Sequence, residues 1–352
     1  MGDQTIQLIH DVKRASKDNE PLEIVGRRTK EFLGRATSGT ILDISQHTGI
    51  INYEPAELIL MVRAGTPLSE IRDTLAGAHQ CLLFDPPHYG VGGTIGGIVA
   101  AGLAGPCRPY TGAVRDFVLG LSCINGAGEH LHFGGQVMKN VAGYDVSRLM
   151  VGAMGTLGPI LDISFKVMPM PELNETILYE VSEAAAISKI TELSRKPWPF
   201  SGACYLDGQL RIRLSGGSES VLAAARALGG EHAQDDATFW QQLRDQTLPF
   251  FRQEGTLWRI NVRPNTTHMQ IAGAFLIDWG GAQRWLRSEE PDDVIRDVVA
   301  RVGGHASRFR GGDREGDVFH PLSKPLQVLH RKIKETFDPL YLFNRGRMYA
   351  EI

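Results

Sequence analysis

The chain has 352 residues, a net charge of −3 and 42% hydrophobic residues, values typical of a globular protein with about two domains. This balance excludes disordered, collagen-like and coiled-coil proteins, and it provides no bulk attraction to nucleic acid or anionic lipid. The four cysteines form no CxxC pair, so neither disulfides nor an iron–sulfur or zinc site is expected within the chain. The first residues lack a signal peptide and no apolar run is long enough to span a bilayer, so we expect a cytoplasmic protein.

A first domain is predicted over residues 1–170. Its N-terminal part contains one short helix and four short strands, at residues 6–15, then 22–25, 41–44, 50–53 and 58–62. Thr66 and Pro67 have the residue types of a helix start, with Thr66 as the N-cap. Asn125-Gly126-Ala127-Gly128 predicts a turn between two strands. A helix at 145–154 and a strand at 160–167 follow.

A second, smaller α+β domain is predicted over residues 171–338, because strand-like and helix-like runs alternate there. The runs are strands at 177–181, 203–214, 257–262 and 274–279, and helices at 184–193, 220–228 and 292–302. The last helical run, 321–337, places Leu322, Leu326, Leu329, Ile333 and Phe337 on one apolar stripe. Residues 339–352 form a tail.

Glycine is concentrated in one region, since 17 of the 40 glycines lie within residues 90–158. Such density indicates positive φ angles or a backbone that approaches a ligand closely. Gly92-Gly93-Thr94-Ile95-Gly96-Gly97 leads into an apolar helix whose free N–H groups suit an anion, although tight backbone packing explains the same residues equally well. Ile95 stands at the last glycine position of a dinucleotide-binding fingerprint, so a Rossmann fold is not predicted.

Two polar loops are further candidates for ligand binding. Gly26-Arg27-Arg28-Thr29-Lys30 follows a strand and has amides and a hydroxyl suited to a pyrophosphate, but an exposed basic turn is the simpler interpretation of it alone. Lys139-Asn140-Val141-Ala142-Gly143-Tyr144-Asp145 precedes a helix that Asp145 can cap, and the glycines on both sides favour a loop facing a ligand. His130 and His132 share a strand face without a third ligand nearby, so no metal site is predicted.

A set of short motifs carries a family resemblance: residues 53–58, 91–97, 105–106, 108–110, 112–116, 139–145, 155–158 and 343–349. Together they resemble the PCMH-type FAD domain of the vanillyl-alcohol-oxidase flavoproteins, and among these the FAD-binding subunits of bacterial glycolate oxidase. The resemblance implies an α+β fold: a two-subdomain FAD-binding domain at 1–170, a cap domain for partner interaction at 171–338, and a tail at 339–352 that packs back on the FAD domain.

The resemblance also implies which residues contact noncovalent FAD. Residues 26–30 would wrap the pyrophosphate, residues 94–97 and 110–112 would approach the flavin and ribityl chain, and the tail would fold back toward the flavin. The implied contacts are Gly26, Arg27, Arg28, Thr29, Lys30, Pro87, Gly93, Thr94, Ile95, Gly96, Gly97, Tyr110, Gly112, Lys139, Asn140, Tyr144, Gly155, Gly158, Ile160, Asn344 and Arg347. No histidine in the turn is available to attach flavin covalently.

The turn departs from the family pattern at Arg27-Arg28, where a glycine-rich loop is usual. Loss of glycine restricts positive φ, whereas an arginine can pair with a pyrophosphate. The tail has Asn344-Arg345-Gly346 where the family often has Asn-Pro-Gly, which is a milder change.

By resemblance, the chain is an FAD-binding subunit of a heteromeric complex that oxidises glycolate to glyoxylate. Its expected partners are an FAD-containing D-type subunit and an iron–sulfur subunit, through which it can associate with the membrane. The His-x-Gly-Asp-Gly-Asn-x-His cluster of related dehydrogenases is missing, so no catalytic residue is assigned; Lys139 and Tyr144 are the nearest candidates. We therefore expect electron transfer rather than substrate oxidation. The alternatives are a self-sufficient FAD-dependent D-2-hydroxy-acid dehydrogenase and a non-redox structural subunit.

Overall fold

The computed structural model describes residues 2–135, 145–234 and 236–352. The helices of these residues are α1 (Thr5–Asp18), α2 (Leu68–Ala76), α3 (Ile95–Ala101), α4 (Arg108–Thr111), α5 (Val114–Phe117), α6 (Val146–Met150), α7 (Glu183–Leu193), α8 (Ser218–Leu228), α9 (Asp236–Asp245), α10 (Pro249–Arg252), α11 (Asp292–Arg301) and α12 (Lys324–Phe337). The strands are β1 (Leu22–Val25), β2 (Thr40–Asp43), β3 (Ile50–Glu54), β4 (Ile59–Arg63), β5 (Gln80–Cys81), β6 (Val118–Ile124), β7 (His130–Gly134), β8 (Ile160–Lys166), β9 (Met168–Pro169), β10 (Leu173–Glu180), β11 (Phe200–Leu206), β12 (Gln209–Gly216), β13 (Glu231–His232), β14 (Thr256–Asn261), β15 (Ala274–Asp278), β16 (Gln283–Ser288) and β17 (His305–Arg310). None of the described helices is both long enough and apolar enough to cross a membrane.

The chain divides into two compact units. Unit 1 contains Met1–Leu103, Gly112–Met170 and Arg314–Ile352, and unit 2 contains Ala104–Thr111 and Pro171–Asp313. This division differs from the predicted domain boundaries in two segments. Residues 104–111 belong to unit 2, and residues 314–338 belong to unit 1, because α12 bonds to the body of unit 1 through Lys334.

Unit 1 is built on an antiparallel five-stranded sheet of order β3-β4-β8-β6-β7, with β1 and β2 forming a separate parallel pair. The core of the sheet is apolar, and Leu60, Val62, Ile163 and Phe165 are fully buried. The predicted hairpin is confirmed as β6 and β7. Its turn is closed by the Gly128 N–H, which donates to the Asn125 carbonyl at 2.9 Å.

The predicted start of α2 is wrong by one residue, because Pro67 rather than Thr66 is the N-cap. The Thr66 hydroxyl has other partners: it accepts the Gly49 N–H at 2.9 Å and donates to the Arg63 carbonyl at 2.7 Å. In α3 the cap is Thr94, whose Oγ1 accepts the Gly97 N–H at 3.2 Å. Thr94 therefore fixes the point at which the glycine-rich segment becomes helical.

Unit 2 contains an eight-stranded sheet of order β13-β10-β12-β11-β15-β16-β14-β17. The single predicted run at 203–214 is a hairpin of β11 and β12, turning at Asp207 and Gly208 with φ angles of 50° and 81°. Two positive φ angles are the requirement of a tight hairpin turn. The sequence did not indicate β16. All residues of this strand are buried, but Arg284 and Arg287 are residue types that usually indicate an exposed segment.

Candidate cofactor site

Two adjoining cavities of unit 1 form one groove at the carboxyl end of β1. Both are lined by Ile24, Val25, Gly26, Thr94, Gly97, Ala100, Met154 and Asn344. The first cavity continues along Arg27, Arg28, Thr29, Lys30 and Arg347, and is the polar part. The second continues along Gly96, Gly155, Gly158 and Ile160, and its lining is largely apolar. The structure thus brings together most residues of the predicted site.

The turn after β1 brings the strand close to α3. A Cβ atom at Gly26 would lie 2.9 Å from Thr94 Oγ1, which is closer than real Cβ contacts allow. A side chain at residue 26 would therefore displace Thr94 Oγ1, the atom that caps α3. Glycine at this position follows from close packing of two elements that both line the site.

The two arginines of the turn have different roles. Arg28 adopts the left-handed conformation, with φ of 54°, at a cost of about 1–2 kcal/mol for a non-glycine residue. Its guanidinium pairs with Glu31 and, at 3.7 Å, with Glu23, and these carboxylates raise the pKa of Arg28, above all through the Glu31 hydrogen bond. Arg27 is exposed and has no ion pair or hydrogen bond among the described residues. Arg27 is therefore the arginine available to an anionic ligand.

Two further cations of the groove are removed from water. The Lys30 ammonium contacts the Thr29 hydroxyl at 3.3 Å, its one partner within the described part of the chain, and burial lowers the pKa of Lys30 to about 8. Burial, together with nearby Arg314, lowers the pKa of Arg347 to about 10. A desolvated cation gains from an opposite charge, so this end of the groove favours an anion.

Asn344 ties the opposite side of the groove together. Its Oδ1 accepts the Ile24 N–H at 2.8 Å, and its Nδ2 donates to the Met154 carbonyl at 2.7 Å. A Cβ atom at Gly155 would lie 2.5 Å from Asn344 Nδ2, so the loop after α6 approaches this amide closely. The oxygen and the nitrogen of the Asn344 amide thus bond to different segments. Asn344 therefore acts as a clamp between β1 and that loop, and it also lines the groove.

A buried ion pair next to the loop after α6 was not predicted from the sequence. Lys334 Nζ donates to Asp338 Oδ2 at 2.7 Å, to the Thr156 carbonyl at 2.6 Å and to the Phe343 carbonyl at 2.9 Å. Asp338 in turn accepts the N–H groups of Leu342 and Phe343 at 2.9 and 2.8 Å. Both side chains are completely buried. A Lys and an Asp four residues apart normally indicate an exposed helix face, so the sequence contained no signal for this role.

The remaining predicted contacts fall into three groups. Pro87, Gly93, Ile95 and Gly112 line neither of the two cavities, and Ile95 is fully buried in the core. Tyr110 belongs to unit 2, where its ring packs against Phe200 and burial raises the pKa of its hydroxyl. The other three, Lys139, Asn140 and Tyr144, lie outside the described residues.

Part of the glycine excess has a packing cause. A Cβ atom at Gly96 would lie 2.6 Å from the Ala64 Cβ, and one at Gly158 would lie 2.2 Å from the Ile124 carbonyl oxygen. Both residues line the groove, but protein atoms alone exclude a side chain there. Tight packing, one of the two interpretations open for residues 92–97, is therefore confirmed at Gly96.

Comparison with known proteins identifies the family and the fold. Residues 3–134 match the FAD binding domain family. The fold is shared with a solved structure of alkyldihydroxyacetonephosphate synthase, with a TM-score of 0.67 and 15% identity over 98% of this chain and 74% of that chain. These matches confirm the predicted α+β fold with an FAD-binding domain.

A more specific relationship comes from a full-length relative. The chain is 51% identical to the glycolate oxidase subunit GlcE of Escherichia coli (strain K12), over 99% of each protein. It therefore belongs to the GlcE family of glycolate oxidase subunits, which are FAD-dependent oxidoreductases, and its cofactor is FAD. Partial matches include the glycolate oxidase subunit GlcD of Bacillus subtilis (strain 168), 41% identical over 26% of this chain and 20% of that protein. A D-lactate dehydrogenase of Anaerostipes hadrus is 29% identical over 46% of this chain and 34% of its own length.

The groove fits FAD in its chemistry. The polar part holds an unpaired arginine and a half-buried lysine, which suit a pyrophosphate. The apolar part, between Ile24 and Ile160, suits a flat ring system.

Proposed function

We propose that this chain is the FAD-binding subunit of a heteromeric glycolate oxidase complex that converts glycolate to glyoxylate, and that it transfers electrons rather than oxidising the substrate. The full-length similarity to a glycolate oxidase subunit supports the first part. The composition of the groove supports the second.

The observation that supports the electron-transfer role is that the acidic residues of the groove are paired with an arginine. Abstraction of a proton from a 2-hydroxy acid requires a positioned base. The described lining of the two cavities contains Glu23 and Glu31 as its acidic residues, and both pair with Arg28. Both carboxylates therefore face a cation, and no histidine is among these lining residues.

In this proposal the residues of the groove bind and orient the cofactor. Arg27 and Lys30 would pair with the pyrophosphate, Ile24 and Ile160 would flank a ring, and Asn344 would hold the two sides of the groove at a fixed separation. When bound, FAD supplies the capacity to accept and release electrons. The attachment is noncovalent, which is consistent with the lack of histidine and cysteine among the described lining residues.

The partners in this proposal are an FAD-containing D-type subunit and an iron–sulfur subunit, in the cytoplasm or at the inner face of the membrane. Unit 1 binds the cofactor, and unit 2 corresponds to the cap.

Anaerobic addition of glycolate to the purified FAD-loaded chain tests the electron-transfer role. We expect the flavin absorbance to persist with the chain alone. When the two partner subunits are added, we expect bleaching that exceeds that of the partners without this chain by the flavin content of this chain. Bleaching of the isolated chain would make it a self-sufficient dehydrogenase. If no flavin binds even after FAD is supplied, the remaining alternative is a non-redox structural subunit.

A further inference from the structure

The C-terminal tail runs beside β1, the strand from which the charged turn begins. The Leu22 N–H donates to the Leu342 carbonyl at 2.8 Å, and the Asn344 N–H donates to the Leu22 carbonyl at 3.0 Å. Phe343 thereby pairs with Leu22 in a parallel bridge, and its side chain is fully buried. Strand, turn and tail all belong to unit 1. The tail is therefore fixed next to the start of the turn.

Arg347 joins this tail to the backbone of the turn. Its Nη1 donates to the Arg35 carbonyl at 3.1 Å, and its Nη2 donates to the carbonyls of Lys30 and Glu31 at 3.3 and 3.4 Å. All three acceptors are main-chain oxygens. The guanidinium thus bonds to the backbone of the turn, although Arg347 also lines the polar cavity.

The bonding between tail and turn is reciprocal. The Arg35 N–H donates to the Arg347 carbonyl at 2.8 Å, and Arg35 Nε donates to the Gly346 carbonyl at 3.0 Å. The tail is closed on itself, because the Gly346 N–H donates to the Ile352 carbonyl at 2.8 Å. Two segments that donate to each other's carbonyls hold a fixed separation, so the tail restricts the position of the turn.

The approach of the two segments requires a glycine in the turn. Gly34 has a φ of 78°, and a Cβ atom there would lie 2.9 Å from the Arg347 carbonyl oxygen and 2.8 Å from Met154 Cε. Met154 lines both cavities of the groove. A side chain at residue 34 would therefore displace the tail or a residue of the groove.

The position of the turn matters because the start of α3 does not offer its amides to a ligand. The N–H groups of Ile95 and Gly96 donate to carbonyls of the segment before α2 at 3.0 and 2.8 Å, and that of Gly97 donates to Thr94 Oγ1 at 3.2 Å. The sequence predicted an anion at these N–H groups, but oxygen atoms of the protein accept them. Recognition of an anion in the groove therefore depends on the side chains of the turn.

We propose that Arg347 is the positioning residue of the pyrophosphate-binding turn, an inference that rests on the proposed function. Arg27 and Lys30 supply charge to the pyrophosphate of FAD, and Arg347 fixes the backbone that presents them. A guanidinium suits this role because its planar fork reaches several acceptors at once, whereas the ammonium of a lysine is a point charge.

The substitution Arg347→Lys separates this role from direct pairing with the ligand, because it keeps the positive charge and removes the fork. We expect it to weaken FAD binding by about tenfold, nearly as much as Arg347→Met, when the full chain is titrated under conditions where each protein is folded. The matched control is Arg345→Lys, an exposed arginine of the same tail with no hydrogen bond or ion pair among the described residues. Its FAD affinity should equal that of the unchanged chain.

A second variant tests the same contact from the side of the turn. Gly34→Ala should also weaken FAD binding, because the added methyl group meets the tail. Its control is Gly303→Ala in unit 2, where φ is 71° and a Cβ atom would meet nothing within 4 Å. Both substitutions carry the strain of a positive φ, so urea denaturation should show a loss of stability in each. Only Gly34→Ala should lower FAD affinity.

Several results would overturn the proposal. If Arg347→Lys binds FAD normally while Arg347→Met does not, Arg347 is a charged ligand of the pyrophosphate. If Arg347→Lys loses stability but its folded form keeps the normal FAD affinity, Arg347 has only a structural role. Equal loss of affinity in the Arg345 control, or normal affinity in Gly34→Ala, would also contradict it. If the unchanged chain binds no FAD, the proposed function itself fails.

Discussion

The two walls of the cofactor groove are built in different ways. On one side, residues 26–30 contribute exposed Arg27 and half-buried Lys30, whose ammonium has a single hydroxyl partner among the described residues. On the other side, Asn344 and the buried Lys334–Asp338 pair bond to backbone groups on three segments. The comparison indicates a division of labour: the first wall supplies charge to the ligand, and the second supplies a rigid frame. Substitutions in the frame should change stability, and substitutions in the charged turn should change affinity.

The largest effect is expected for Lys334→Met. It leaves Asp338 as an unpaired buried carboxylate and removes the donor to two buried carbonyls, so we expect a loss of about 3–5 kcal/mol in the free energy of unfolding. Urea denaturation measures this, with Lys332→Met, an exposed position of the same helix, as the control. The control should change by less than about 0.5 kcal/mol. Equal effects of the two substitutions would show that the buried pair is not part of the frame.

Asn344→Ala is expected to have the next largest effect. It removes both hydrogen bonds of the Asn344 amide and leaves the Ile24 N–H and the Met154 carbonyl unsatisfied, which costs about 1–3 kcal/mol for each group that stays buried. We expect lower stability together with weaker FAD binding, because β1 and the loop after α6 lose their link. Chemical denaturation and FAD titration report the two effects, and Asn265→Ala, at an exposed asparagine, is the control. Normal FAD affinity in the Asn344 variant would show that the clamp does not contribute to FAD binding.

Lys30→Met should change affinity rather than stability. The pKa of Lys30 is lowered to about 8 in the free protein, so a pyrophosphate beside it must raise that pKa. Its contribution to FAD binding is therefore fully present below pH 8 and is lost as the pH rises through the higher pKa of the complex.

Titration of FAD at several pH values below and above 8 checks this. The unchanged protein should bind FAD more weakly at the alkaline end, and Lys30→Met should lose this part of the pH dependence. The same pH profile in both proteins would place the pyrophosphate elsewhere.

The smallest effect is expected for Arg28→Gly. Glycine relieves the left-handed strain of about 1–2 kcal/mol, while the lost pairs with Glu31 and Glu23 are worth about 0–1 kcal/mol at this exposed position. Stability should thus stay the same or rise slightly, and FAD affinity should fall less than in Arg27→Ala. A larger loss of affinity for the Arg28 variant would mean that the engaged arginine, not the free one, binds the ligand.

The same contrast explains how far the sequence could be read. The charged turn is local, so the sequence located Gly26 to Lys30 after a strand, where the structure has them beside the groove. The residues alone favoured an exposed basic turn, and their role at a cofactor came from the family resemblance. The frame depends on contacts between residues far apart in the chain, such as Lys334 with Thr156. The local sequence pattern around either residue does not predict such contacts. The helix predicted at 321–337 begins at Lys324, so Leu322 lies outside it while Leu326, Leu329, Ile333 and Phe337 lie on it as predicted. The sequence did not indicate that unit 1 covers only the C-terminal half of this stripe. Burial of Arg284 within β16 was missed for the same reason, since its type indicates exposure.

Amide hydrogen exchange of the full chain with and without FAD tests the location of the cofactor most directly. We predict that FAD slows exchange in three segments, residues 24–30, 94–101 and 154–160, and leaves the first half of α12 unchanged. Protection of the turn with no change at 154–160 would contradict the two-walled groove. Protection confined to segments outside these three would place the cofactor at another site.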